Sequence, residues 1–181
     1  MYRLRDCFLV VIALTQLCSL AKSAMGKPQA EIGSILKLFP GYHVMTLTER
    51  DTDTRTFLSR HYRESNSSVV RADFNGDGIL DYALMLKYGK SPTAKFVVLF
   101  CSGDSTCRKV YELDVTGYSD SVYLKPVGSR ASQTDAIDTK DSPAPVKLRS
   151  TGIEVTYFGK AKVVYYWNKK HRKIEAVQTE D

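Results

Sequence analysis

Residues 72–86, ADFNGDGILDYALML from Ala72 to Leu86, decide how the rest of the chain is read. Asp73, Asn75, Asp77 and Asp81 place side-chain oxygens around Gly76 and Gly78, and Ile79 adds a main-chain carbonyl. Oxygen donors at alternate positions of a glycine-bent loop suit calcium, a hard cation that takes about six to eight oxygens in a flexible shell. Magnesium suits the loop less well, because it demands strict octahedral geometry and keeps its waters. Counted from Asp73, the twelfth position is Leu84, where the helix–loop–helix calcium site requires a bidentate Glu. Tyr82 to Tyr88 reads as a strand, so the loop leads into a strand and not a helix. The plain alternative is a glycine turn between two strands with solvated Asp and Asn. Three carboxylates within nine residues repel one another, which argues for a cation between them.

The spacing DxNxDGxxD, carried by Asp73, Asn75, Asp77 and Asp81, resembles the calcium loops of FG-GAP and VCBS repeat proteins, which join two strands. Asn75 stands where those loops have a carboxylate. The resemblance covers about fifteen residues and implies a bound calcium, held by Asp73, Asn75, Asp77, Asp81 and the Ile79 carbonyl; it implies no catalytic activity. Propellers in those families need several blades of about 40–50 residues. This chain of 181 residues carries one copy, so it reads as a small exported protein with a single such loop.

Composition is that of an ordinary globular chain, 43% hydrophobic and 25% charged. The N-terminus has a basic start (Arg3, Arg5), an apolar stretch from Cys7 to Leu20 and small residues at Ala21 to Ala24, which predicts a signal peptide over 1–23. Cleavage after Ser23 fits the small-x-small rule through Ala21 and Ser23, whereas cleavage after Ala24 fits it poorly because of Lys22. The apolar run falls short of the roughly 20 residues of a membrane span. Thr15, Gln16 and Leu17 argue against lipid attachment at Cys18. Removing Arg3, Arg5, Asp6 and Lys22 lowers the formal charge from +6 to +4. A secreted or periplasmic destination is oxidising, and FCSGDSTC sets Cys101 and Cys107 on either side of a turn, predicting a disulfide across a hairpin.

Residues 24–181 read as one α+β domain: two N-terminal helices packed on a mainly antiparallel β-sheet. Ile32, Ile35, Leu36 and Phe39 recur at helical spacing over Pro28 to Phe39, and Pro40-Gly41 ends that pattern. Asp53 or Thr54 opens a second helix through Tyr62. Strands are expected at Tyr42–Leu47, Val69–Asp73, Tyr82–Tyr88, Lys95–Cys101, Arg108–Val115, Val122–Val127, Gly152–Phe158, Ala161–Trp167 and Lys173–Val177. FVVLFC in the fourth of these is continuously apolar, the mark of a strand buried on both faces. The polar stretch 128–145 predicts a mobile surface loop.

Lys169, Lys170, Arg172 and Lys173 form a basic hairpin tip that could meet an anionic partner, or simply stay solvated. Tyr157, Phe158, Tyr165, Tyr166 and Trp167 could form a sugar-stacking face, but divided core and cross-strand roles are the commoner fate of adjacent strand aromatics. His43, His61 and His171 lack paired-ligand spacing, GKS at 89–91 lacks the upstream glycine of a phosphate loop, and no GxSxG elbow occurs. The sequence therefore points to an exported, non-enzymatic calcium-binding module that contacts a protein or an envelope polymer and not nucleic acid. Two alternatives remain open: a secreted hydrolase with a structural calcium, and an inhibitor or immunity-like partner of another exported protein.

Overall fold

The computed structural model describes residues 28–62, 67–103, 106–129, 132–133 and 145–180. The signal peptide, Cys18 and most of the predicted loop 128–145 lie outside these residues. The chain divides into two compact units at Pro40/Gly41. In the first, helix α1 (Pro28–Leu36) closes with a tight turn in which Leu38 and Phe39 N–H donate to Ile35 and Leu36 carbonyls.

The second unit is built almost wholly from antiparallel strands. A five-stranded sheet contains β1 (Tyr42–Val44), β2 (Val69–Ala72), β3 (Asp81–Tyr88), β4 (Ala94–Cys101) and β5 (Cys107–Asp114). β4 lies between β3 and β5, while β1 and β2 share the other edge of β3, pairing with its C-terminal and N-terminal halves. A four-stranded sheet runs in the order β11 (Lys173–Glu180), β10 (Ala161–Asn168), β9 (Gly152–Tyr157), β6 (Val122–Val127). A two-stranded ladder joins β7 (Ser132–Gln133) to β8 (Val146–Lys147). Helix α2 (Thr52–His61) is capped by Asp51, whose carboxylate accepts from Thr54 N–H at 2.8 Å.

The two larger sheets share one core. Met85, Phe96, Val98 and Phe100 from the first meet Val122, Leu124, Ile153, Val155 and Tyr165 from the second. At one corner the Leu124 N–H donates to the Ser67 carbonyl, tying β6 to the approach of β2. β3 and β4 are buried on both faces, since Leu84, Leu86, Val97 and Leu99 are as inaccessible as their alternating neighbours. The continuous apolar run FVVLFC thus has its expected place.

The expected α+β arrangement of two helices packed on one sheet is overturned. The described residues are mostly strand, and sheet covers sheet. α2 buries only Thr54 and Leu58, too narrow a stripe to cover a sheet face. The inner face is covered by the alternating apolar residues of β6, β9 and β10. No described helix is long and apolar enough to cross a membrane.

Candidate metal loop and its surroundings

Residues 73–80 connect β2 to β3, with Ala72 paired to Asp81 at the base. Two forces shape this turn. Phe74, 1% exposed, plugs into the shared core and pins the loop from below. Gly76 and Gly78 supply left-handed backbone at φ +77° and +86°, which L side chains adopt only with strain. Their freedom lets three N–H groups turn onto one carboxylate: Gly76 and Asp77 donate to Asp73 Oδ1 at 2.6 and 3.2 Å, and Gly78 to Oδ2 at 2.9 Å.

The next two donors are interlocked. Asp77 N–H donates to Asn75 Oδ1 and Asn75 Nδ2 to Asp77 Oδ2, both at 2.8 Å, while Ile79 N–H donates to Asp77 Oδ1. Asp81 faces inward and is wholly buried. Its Oδ2 accepts from Phe74 N–H and its Oδ1 from Cys101 N–H, each at 3.0 Å, so one carboxylate staples the loop to both β3 and β4. Burial pushes its pKa up from 3.8 to about 6; the two N–H bonds oppose that rise, and the neighbouring Asp77 and Asp73 charges reinforce it.

Asp73, Asn75 and Asp77 are therefore brought together, whereas Asp81 turns to the interior beside them. Among the described residues, no group of three or more His, Cys, Asp or Glu is gathered as a ready metal cage. The loop's oxygens instead satisfy its own N–H groups. Their chemistry still fits a cation. A carboxylate has about four lone-pair positions and an amide oxygen two, so Asp73 and Asn75 each retain one position and Asp77 two after these bonds.

Cys101 and Cys107 are joined by a disulfide across the β4–β5 hairpin, with Cα atoms 4.0 Å apart. The bridge lies next to the loop, because Cys101 is also the residue that donates to Asp81. A cavity of 200 Å³ opens there between Asn75 and Asp77 on one side and Arg108 on the other. On the opposite flank, the Lys169 ammonium lies 3.0 Å from where a Cβ on Gly76 would stand, and the Ser150 hydroxyl donates to the Phe74 carbonyl. Sequence reasoning missed Phe74, Ser150 and Lys169 as neighbours of the loop. A lone large aromatic inside a polar turn was the available signal for the first; nothing local marks the other two.

The basic tip is divided. Lys169 and Lys170 stand on the turn after β10, Lys173 lies 3.5 Å from Glu175, and Arg172 takes a left-handed φ of 51°. Of the strand aromatics, Tyr165 enters the core, Trp167 packs edge-on to Phe100, and Tyr166 faces the other side of its sheet. They do not form one platform. Comparison with family models, curated proteins and solved structures returned no match.

Proposed function

We propose that this chain is an exported, non-enzymatic calcium-binding module in which the ion fixes the β2–β3 turn. The observation that carries the reading is the convergence of Asp73, Asn75 and Asp77 on one glycine-bent turn with lone-pair positions to spare. Asp73, Asn75, Asp77 and the Ile79 carbonyl are the proposed ligands, with Asp81 at the ninth position. Calcium would neutralise carboxylates that otherwise repel one another and push the Asp81 proton affinity up. The role is linkage: an ion that binds only the folded chain adds RT ln(1 + [L]/Kd) to its stability. Extracellular calcium modules bind at about 0.1–1 mM, so millimolar calcium contributes on the order of 1 kcal/mol.

The nearby disulfide supports the same reading, because it stiffens the strand whose N–H holds Asp81. Calorimetric titration of the chain with calcium should give a saturable, one-site isotherm that Asp77→Ala abolishes and magnesium does not reproduce. Asp77→Ala titrating like the wild type would remove the ligand assignment.

A further inference from the structure

A second feature lies on the outer face of the four-stranded sheet and shares Lys169 with the flank of the 73–81 loop. Val146 and Leu148, on and just after β8, pack with Val164, Val177 and Tyr166 in a small cluster there. Gly152 makes this seat possible, since a Cβ on it would lie 2.9 Å from Leu148 Cδ1. The packing holds β8 beside the end of β10 and leaves a groove of 310 Å³ between them.

Lys147 and Arg149 form one wall of the groove, and Lys169 and Lys170 form the other. Tyr166 and Trp167, both half-buried, lie along its length. The wall on the turn is shaped by Asn168, whose Oδ1 accepts from Lys170 N–H at 2.9 Å and His171 N–H at 3.1 Å. Among the described residues, no carboxylate lines the groove and none of these four cations forms an ion pair. Glu175 lies opposite Tyr166 on β11. His171 at 2.6 Å, Asn168 at 2.7 Å and Lys173 at 3.5 Å already engage it. Lys147 and Arg149 on one wall and Lys170 on the other, with the Lys169 ammonium reaching toward the Gly76 turn, raise the cleft's affinity for anions and gain most from a ligand with several negative groups.

We propose that this groove binds a short stretch of an acidic saccharide chain. Its sulfate or carboxylate groups pair with Lys147, Arg149 and Lys170, and a sugar ring rests on the exposed part of Tyr166. The volume lies at the small end of ligand clefts, about 300–1,000 Å³, which suits a few rings and not a folded partner. A lipid headgroup fits less well, because none of the exposed large apolar side chains lies in the groove to meet acyl chains. A stacked base fits less well too, because Tyr166 gives up part of its face to the outer cluster and Trp167 packs on Phe100 on the other side of the sheet.

Trp167 is the only tryptophan in the chain and lies next to Tyr166 on the groove's margin, so its emission gives one readout of binding beside the calorimetric heat. The full chain is titrated with a heparin-derived hexasaccharide, reading Trp167 emission and calorimetric heat together. Saturable binding is expected, weakened about tenfold or more in Lys147→Glu/Arg149→Glu. The charge-matched Arg60→Glu/Lys90→Glu variant, exposed elsewhere, should bind within about twofold of the wild type. Thermal melts of both variants check that they fold alike. Equal loss in the two variants would overturn the site, leaving only net-charge attraction. So would absence of saturable binding by both readouts. Inorganic phosphate or a single-stranded oligonucleotide binding as tightly as the hexasaccharide would overturn the saccharide assignment.

Discussion

Replacing Asp81 with asparagine separates the charge of the buried carboxylate from its shape. Asp81 is wholly buried and its folded pKa is raised from 3.8 to about 6. The folded chain therefore holds this proton more tightly than the unfolded chain. Its contribution is fully present below pH 3.8 and is lost as pH rises toward about 6. A rise of about two units corresponds to about 3 kcal/mol. The substituted amide would not titrate, but one of its two polar atoms would be a donor facing a donor, Phe74 N–H or Cys101 N–H, at a cost of about 1–3 kcal/mol. That cost is independent of pH, so the two effects separate cleanly. Near pH 4 Asp81→Asn should be the less stable protein by about 1–3 kcal/mol, and by pH 7 the difference should shift by about 3 kcal/mol in favour of the variant. Urea unfolding of both proteins from pH 4 to 7, in calcium-stripped buffer, measures this. Parallel stability curves across that range would refute the reasoning. Added calcium at pH 7 should restore the wild type and leave Asp81→Asn behind.

Further outcomes follow from the packing of the loop and of the buried Arg50. Phe74→Ala, which leaves every proposed ligand in place, should cost about 3–5 kcal/mol in chemical denaturation and also abolish the calcium response. Removing the bridge with Cys101→Ala/Cys107→Ala should cost about 2 kcal/mol for so short a loop, read as a lowered melting temperature. The buried Arg50 side chain donates from Nη2 to Ser68 Oγ at 2.6 Å, while its Nε and Nη1 have no partner among the described residues; burial lowers its pKa to about 10. Ser68→Ala should therefore destabilise by about 2 kcal/mol, whereas Arg50→Met should be neutral or stabilising in urea titrations.

The strands were legible because their signal is local. The apolar run through Phe96–Phe100 specifies a strand whatever lies on either face. The division into two sheets was not legible, because it depends on which edge β6 chooses. That choice is made by long-range contacts, β6 to β9 and Leu124 to Ser67, that leave no mark in any short window. The same asymmetry governs the sites. Ligand types and glycine spacing announced the loop, since a left-handed turn and its oxygen donors are neighbours in sequence. The groove was only half visible: Lys169 and Lys170 stood in a charge run, but Lys147 and Arg149 reach it from a segment about twenty residues upstream. Arg172 and Lys173, which looked equivalent to them, turn elsewhere.

The central claim is tested most directly by the melting temperature of the chain in excess chelator, then in millimolar calcium, with magnesium as control. A gain of about 1 kcal/mol predicts a calcium-selective rise of about 2–4 °C that disappears in Asp77→Ala. An unchanged midpoint in calcium, or an equal rise in magnesium, would contradict it and leave residues 73–81 as a self-satisfied turn.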